Sequence, residues 1–493
     1  MSPDAIIPAM MDLYGRVAEL IRREHLLREG QRVVAAVSGG ADSLCLLDCL
    51  QRLGYEVIVA HLDHQLRDGS REDAEFTLEV VRRYGLPAVI AREDVRSLVR
   101  NGGSVEDIAR QVRYRFLARV ARENRARAIA TGHTADDQAE TILMHLLRGA
   151  GPEGLRGMLP ATAIGTWAGI PEARGLTLIR PLLEITRSET LSHCSVLGLN
   201  PRQDPSNLGR EFLRNRVRHE LLPLLETYNP GIRRVLLRTG KVMGAQASLV
   251  AALVDGIWPQ VIREAGTAAL AIRVKPWAGQ PEALQAAMLR RCVGRLQPGL
   301  GDVGLEAVER GLEFIRRPPR ARRMDLVGGL EMLHLRDEVV LAEPGAVLSF
   351  PDLPQLVSER FRRMIVPGRV RLASGWRLEA SVEAVSASDR RRLRRTEGGQ
   401  LAALDPEALQ TPLSVRPWKP GDRIRPLGMD GTVKVADLFA NEHVPAPARA
   451  RWPVVVAGGD PVWVVGLRMS HEVRLTGRSK RALVLRLIRR APR

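Results

Sequence analysis

The chain has 493 residues, 45% hydrophobic and 26% charged, which allows two to four globular domains and excludes a disordered or fibrous protein. Its formal net charge of +18 is mostly arginine, which points to a polyanionic partner, nucleic acid ahead of membrane. Aromatic residues make up 4%, against extensive base stacking.

Residues 9–28 read as an amphipathic helix ending at Gly30. Strand-like runs follow at 33–37, 57–61, 88–91 and 128–131, with helical patterns near 42–53, 70–84, 104–123 and 135–148. This alternation predicts an α/β fold with a parallel sheet and helices on both faces. Ligands of such sheets bind at the carboxyl ends of the strands. From about Leu208 the pattern changes to Arg-rich helices over 208–226, 230–265 and near 281–296, then short strands over 323–343. Pro344, Pro351 and Pro354 suggest a linker. Beyond about 364, β-branched runs broken by Gly, Pro and Asp predict a small, mostly-β region, with a basic cluster at Arg390, Arg391, Arg392, Arg394 and Arg395. Three domains are expected: 1–225, a helix-rich 226–345, and 364–493.

Cys45, Cys49, Cys194 and Cys292 have no zinc or iron–sulfur spacing, so reduced thiols are expected. No leader and no apolar run of transmembrane length is apparent, so a cytoplasmic protein with no membrane partner is expected. Homodimer formation is left open.

The first motif joins the apolar run to Ser38-Gly39-Gly40, and a helix starts at Ala41. Unpaired first-turn N–H groups and the helix dipole make such a junction an anion site. Gly39 and Gly40 permit close backbone approach and positive φ. Ser38 and Ser43 add hydroxyls, and Asp42 puts a carboxylate where a phosphate-bound metal could sit. Neither the Walker pattern nor G-x-G-x-x-G is present. A plain glycine turn would join strand to helix but would not call for two hydroxyls and a carboxylate there.

The second motif, Thr131-Gly132-His133-Thr134-Ala135-Asp136-Asp137-Gln138-Ala139-Glu140-Thr141, also joins a strand to a helix. Asp136 and Glu140 are i, i+4 and Asp137 and Glu140 are i, i+3, so these carboxylates can share a face and invite a cation. A solvated first turn favoured by the dipole is the competing account, and His133 could equally be a turn residue. Arg110 and Arg113 lie one turn apart on a helix that Ser104 could cap. They could reach phosphate or carboxylate, or form a solvated basic face.

Ser-Gly-Gly-x-Asp-Ser after a strand resembles the pyrophosphate loop of the ATP pyrophosphatases, which cleave ATP to AMP and pyrophosphate and adenylate a carbonyl-type oxygen. Three further stretches are similar to the bacterial tRNA(Ile)-lysidine synthetase family. The first is Ala60-His61-Leu62-Asp63-His64-Gln65-Leu66-Arg67, in which Asp63 and Gln65 depart from the family's form. The second is Arg180-Pro181-Leu182-Leu183 with Asp204-Pro205-Ser206-Asn207 and Arg214-Asn215-Arg216-Val217-Arg218. The third is 416–428 with Val435-Ala436-Asp437-Leu438-Phe439, Val444-Pro445 and Gly466-Leu467-Arg468.

The resemblance implies ATP-dependent ligation of L-lysine to the wobble cytidine of the isoleucine tRNA with anticodon CAU. It implies ATP held by Ser38, Gly39, Gly40, Ala41, Asp42, Ser43, His61, Gly132 and His133. Asp42 and Asp136 are the candidates for Mg²⁺. Asp42, Asp137, Glu140 and Arg113 are the candidates for catalysis, with Asp137 and Glu140 holding lysine. Arg214, Arg216, Arg416, Lys419, Arg423 and Arg425 are the candidates for tRNA contact, with Trp418 as a stacking residue. The regions 226–345 and 364–493 would then bind tRNA. The rivals are a tRNA thiolase of the same superfamily, which would need cysteine spacings not found here, and a non-catalytic tRNA-binding protein.

Overall fold

The computed structural model describes residues 3–65, 70–95, 105–165, 170–202, 213–300, 303–317, 322–335, 337–358, 360–396, 399–409 and 411–489. Ser104, Leu66, Arg67 and the 204–207 block lie outside them. The chain divides into two compact units, residues 1–256 with 297–301, and residues 257–296 with 302–493. The boundary expected near 225 falls inside the first unit, and the linker expected around 344–356 falls inside the second.

In the first unit, α1 (Pro3–Arg23) precedes β1 (Arg32–Ala36), α2 (Ala41–Arg52), β2 (Glu56–Asp63), α3 (Ser70–Tyr84), β3 (Ala88–Arg92), α4 (Val105–Glu123), β4 (Ala128–Thr131) and α5 (Ala135–Leu147). β5 (Ala161–Ala163), β6 (Thr177–Ile179) and α6 (Arg187–Val196) follow. The sheet order is β3-β2-β1-β4-β6-β5. Its pairs are parallel except β5 with β6.

Both faces of the sheet are covered, and the two-residue period of the strands sorts their side chains between the two cores. Val33, Ala35, Val57 and Val59 join the cluster containing Leu44 and Leu47 of α2 and Val17 and Leu20 of α1. Val34, Ile58, Ala60 and Ile129 join the cluster containing Tyr114, Leu117 and Val120 of α4. β5 and β6 were not expected; three residues each is too short for a periodic signal.

The helical stretch from Leu213 to Tyr228 contains a π-helical turn at Val217–Leu221. α7 (Ile232–Val261) then runs for 30 residues, across the division between the units. Its mean hydropathy reaches 1.3 over 18 residues, so by length and composition alone it could cross a membrane. This corrects the sequence scan. Arg233, Arg234, Arg238 and Lys241 punctuate its first half, and they hid the apolar stretch that follows.

The helix expected to continue to 265 ends at Val261, and the chain turns into β7 (Ile262–Gly266) and β8 (Ala269–Arg273). With α8 (Glu282–Leu296), α9 (Leu305–Arg316), β9 (Arg323–Asp325), β10 (Glu331–Leu335) and β11 (Glu338–Ala342), these build the antiparallel sheet β7-β8-β11-β10-β9. The middle region is therefore helix plus sheet.

The rest of the second unit is mostly β. It comprises β12 (Arg362–Arg363), β13 (Gly368–Arg371), β14 (Trp376–Ala384), α10 (Ala387–Thr396), β15 (Leu401–Leu404), β16 (Leu413–Pro417), β17 (Arg423–Ile424) and β18 (Val433–Lys434). α11 (Val435–Asn441), β19 (Pro453–Ala457), β20 (Asp460–Val464), β21 (Arg468–Met469) and β22 (Arg481–Arg489) complete it. The sheets β12-β16-β19-β20-β21 and β13-β14-β22-β15 share one apolar core that includes Val415, Val455, Trp463, Leu378 and Leu485.

Candidate active site

β1 ends at the carboxyl edge of the sheet, and the chain reaches α2 through Ser38-Gly39-Gly40. Gly39 has φ +82, a region that side chains disfavour, and a Cβ there would lie 3.3 Å from Thr77 Oγ1. Gly40 has φ −79, and the nearest atom to an added Cβ, Ser38 Oγ, is 3.7 Å away. The positive φ expected of both glycines is therefore confined to Gly39. Gly40 is the N-cap of α2 and supplies no side-chain cap, which leaves first-turn N–H groups for an anion.

Ser43 Oγ donates to the Gly40 carbonyl at 2.8 Å and accepts from the Ser38 N–H at 3.1 Å. The hydroxyl expected to face a ligand instead ties the loop to the helix.

The two motifs are drawn together by close packing. A Cβ on Gly132, just past β4, would lie 2.9 Å from the backbone carbonyl of Asp42. Only glycine lets the strand end abut the start of α2 this closely. Asp42 Oδ1 accepts from Thr190 Oγ1 on α6. Burial pushes the Asp42 carboxyl above the usual range, against the opposing effects of Thr190 and Arg187. Buried Ala41 opens α2.

His61, buried at the end of β2, has Nδ1 2.8 Å from the Val37 carbonyl. With Nδ1 protonated it props the last turn of chain before the loop, and its buried Nε2 has no partner among the described residues. Burial holds its pKa below the usual histidine value. Asp63, one of the departures from the family form, accepts from the Gln65 N–H at 2.9 Å and pairs with Arg92 at 3.4 Å, so it shapes the turn. His133 Nδ1 lies 2.8 Å from Thr131 Oγ1. Burial lowers its pKa to about 3.

The acidic helix start is answered by arginines. Asp137 Oδ2 accepts from the Thr134 N–H at 2.9 Å, closing the first turn of α5, while its Oδ1 meets Arg214 and Arg218, each at 3.3 Å. Buried Glu140 accepts from Arg214 Nε at 3.0 Å and from Arg218 Nε at 2.6 Å. Burial alone would raise Asp137, but Arg214, His133, the Thr134 N–H and Arg218 outweigh it and hold the carboxyl below its usual range.

Asp136 accepts from the Arg187 N–H at 2.8 Å and from Arg233 at 2.9 Å. The repelling carboxylates that should invite a cation already have three guanidiniums. Asp136, with both oxygens engaged, does not fit Mg²⁺. Asp42 does fit: its second oxygen accepts no hydrogen bond among the described residues, and Mg²⁺ bound to substrate phosphates needs only one or two carboxylates.

A family model for a PP-loop domain matches residues 12–225. A second, for the TilS substrate C-terminal domain, matches residues 413–486. The tRNA(Ile)-lysidine synthase of Geobacter sulfurreducens is 34% identical over 470 residues, covering 94% of this chain and 95% of that protein. That of Symbiobacterium thermophilum is 35% identical over 494 residues, covering 97% and 98%. The chain belongs to the tRNA(Ile)-lysidine synthase family. A solved U34-tRNA thiolase NcsA from Methanococcus maripaludis is similar over 49% of this chain and 81% of that one, with 19% identity and a TM-score of 0.39.

Within this synthase-family chain, Arg113 is exposed on α4, with its guanidinium 5.4 Å from the Tyr114 ring centroid. Its charge is among those opposing protonation of His133, which places it near the second motif. Arg214 and Arg218 share one face, whereas Arg216 is exposed and pairs with Glu220 at 3.7 Å.

Sequence reasoning gave Arg180 no role beyond the resemblance. It is 5% exposed, and donates to the Leu159 carbonyl at 2.6 Å and Thr162 Oγ1 at 3.0 Å. Its Nε has no partner among the described residues. Its charge also opposes protonation of His133. A buried guanidinium with no carboxylate among the described residues is an anion-seeking group. Its signal in the sequence was a lone arginine inside the apolar run 176–183.

The C-terminal block departs most from expectation. Arg416 does not present its charge to RNA. Its side chain is 9% exposed and makes a two-pronged pair with Asp422, both contacts 2.8 Å. It also donates to the Pro417 and Gly459 carbonyls. Asp422 in turn accepts from the Lys419 N–H at 2.7 Å, so the pair locks the turn after β16. Trp418 packs edge-on against Phe439, 5.4 Å between centroids, in the apolar core, and so is a poor stacking platform. Lys419 and Arg423 are exposed; Arg425 is half-buried and donates to the Met429 carbonyl.

Proposed function

We propose that this chain is an ATP-dependent ligase that joins free L-lysine to C2 of the wobble cytidine of the CAU-anticodon isoleucine tRNA. The observation that carries the reading is the uncapped α2 start after Gly39, with Gly132 wedged against it, in a chain whose relatives match over nearly its full length.

The C2 oxygen of cytosine is a poor leaving group. Its attack on the ATP α-phosphorus forms an O–P bond, breaks the bond to pyrophosphate and yields an adenylated cytidine. Pyrophosphate leaves against the first-turn N–H groups of α2, preorganised where negative charge develops. A neutral lysine ε-amine then attacks C2; the C–N bond forms, the C2–O bond breaks, and AMP departs. The amine's proton needs an acceptor. The raised proton affinity of Asp42 suits it to that task once pyrophosphate has left.

Mg²⁺ held by Asp42 would supply positive charge to the departing phosphates. Asp137 and Glu140 position Arg214 and Arg218, whose charge, with that of Arg113 and Arg180, offsets the phosphate and carboxylate of the reactants. A lysine ammonium reaches Asp137 or Glu140 only when a guanidinium yields.

The test is AMP release with each reactant omitted in turn. Full release requires ATP, cytidine-34 tRNA and lysine together. Sustained turnover without lysine would sink the ligase reading.

A further inference from the structure

The ligase reading leaves the cysteines without a task. Their spacing along the chain matches no metal motif, but the fold adds a donor that the spacing lacks. Cys45 and Cys49 stand four residues apart on α2, on one face of the helix. Their sulfurs and a ring nitrogen of His193, on α6, lie within 4.8 Å of one another. All three residues are buried, none more than 2% exposed. Next to His193, buried Cys194 donates to the Ala41 carbonyl at 3.5 Å, which also ties α6 to the start of α2.

The histidine is arranged as a ligand. Its Nε2 lies 2.9 Å from Asp48 Oδ2, and the same carboxylate accepts from the hydroxyls of Tyr14 on α1 and Tyr84 at the end of α3. Burial alone would raise Asp48, but the hydrogen bonds from His193, Tyr14 and Tyr84 outweigh it and hold the carboxyl below its usual range. An ionised Asp48 fixes the His193 proton on Nε2 and leaves the Nδ1 lone pair bare. Nδ1 is buried and has no partner among the described residues, which is costly unless something binds it. A carboxylate behind a histidine is the outer arrangement of protein zinc sites. We propose that Cys45, Cys49 and His193 Nδ1 form a zinc site that clamps α6 to α2 behind the loop after β1.

Two thiolates beside a neutral imidazole carry two negative charges. A divalent, thiophilic ion cancels them, which a buried site favours over a monovalent one. Zn–S bonds of about 2.3 Å and Zn–N bonds of about 2.0–2.1 Å put tetrahedral donors roughly 3.5–3.8 Å apart. Small side-chain rotations close the three donors to that spacing, and the fourth position is left to a small ligand such as water. Thr190 already ties α6 to Asp42, so the metal would add a second clamp, one turn further along the helix whose first N–H groups await an anion. The site goes beyond the ligase reading and does not depend on it. The competing account is that the two thiols pack as small apolar side chains and bind nothing.

The experiment measures zinc content of the full-length protein from zinc-supplemented cells after dialysis against Mg²⁺, and the absorption spectrum after refolding with Co²⁺. The wild type is expected to keep about one zinc per chain and, with Co²⁺, to show thiolate-to-cobalt charge transfer and the intense bands of a tetrahedral ion. Cys45→Ser and Cys49→Ser should each lower zinc content at least about tenfold and lose the charge-transfer band. Cys292→Ser, in the other unit, should keep both. Should a serine variant fail to fold, the wild-type zinc content and cobalt spectrum decide alone. A wild type without zinc and without the charge-transfer band overturns the proposal. So does zinc that Mg²⁺ displaces and both serine variants retain, which would place the ion on a carboxylate such as Asp42. A charge-transfer band lost only in Cys292→Ser overturns it as well. None of these outcomes touches lysine-dependent AMP release, which tests the ligase reading separately.

Discussion

At the carboxyl edge of the parallel sheet, the loop after β1 offers an anion its backbone, and its side chains brace that backbone. In the C-terminal β region, Arg416 offers its charge to no ligand; with Asp422 it folds a turn, on which Lys419 and Arg423 stay exposed. Ser43 and Arg416 look alike as sequence features, polar groups in a Gly/Pro-rich motif, and both point inward to hold a loop. The difference lies in what each brace exposes. Bracing Ser38–Ser43 leaves the first turn of α2 uncapped and ready for phosphate. Bracing 416–422 leaves a closed turn with Lys419 exposed on it, and further exposed arginines lie on the edge strands β12 and β13, which carry no motif. A recognisable motif marks where the backbone is constrained, and a surface charge site needs no such constraint.

The largest effect that would break this comparison is at Arg416. Removing one partner of a buried, two-pronged pair costs about 3–5 kcal/mol. Arg416→Ala should lower the urea midpoint accordingly, while Arg423→Ala, on an exposed side chain, should not. Equal midpoints for the two variants would return Arg416 to the surface.

Next is Gly132→Ala, whose Cβ would lie 2.9 Å from the Asp42 carbonyl. Displacing the preorganised loop should slow the first half-reaction by about 10²-fold or more, measured as pre-steady-state formation of adenylated tRNA. Gly40→Ala, with nothing nearer than 3.7 Å, should keep its fold and change that rate far less. A reversed order would show that ligand approach at Gly40 outweighs the packing at Gly132.

Ser43→Ala removes the hydrogen bonds to Gly40 and Ser38 but no ligand donor. A loss of about 0.5–1.5 kcal/mol, appearing in both stability and rate, is expected. A rate loss with unchanged stability would make the hydroxyl a direct ligand contact.

The effect confined to acid pH, and smallest at neutral pH, is at His133. Burial lowers its pKa to about 3, against about 6.5 in an unfolded chain. Between those values the unfolded state binds a proton that the fold refuses, so stability falls as pH drops through that window and has no such dependence above it. His133→Asn should flatten this part of the curve of urea midpoint against pH. An unaltered curve would place the dependence on other groups.

The parallel sheet was legible because each of β1 to β4 is a short apolar run followed by a periodic helix. β5 and β6 were not, since three residues carry no period, and β7 emerged where a helical pattern had been extrapolated past Val261. The Ser38–Ser43 loop and the Asp137–Glu140 face were legible because they depend on local spacing. Their counter-charges were not. Arg214, Arg218 and Arg233 reach Asp136, Asp137 and Glu140 across 74 to 97 residues of chain. Arg180 was hidden because burial without a carboxylate partner is a tertiary property. The cluster at Arg390–Arg395 was legible only as charge; Arg390 is spent on the Val385 and Ser479 carbonyls.

The central claim is that the loop after β1 activates a cytidine for attack by lysine. The most direct measurement is mass spectrometry of nucleosides from CAU-anticodon isoleucine tRNA incubated with the protein, ATP and lysine, read together with AMP and pyrophosphate yields. The account predicts a lysine-conjugated cytidine at the wobble position, with one AMP and one pyrophosphate per modified tRNA. A sulfur-bearing nucleoside, or unmodified cytidine with tRNA bound and ATP intact, would contradict it.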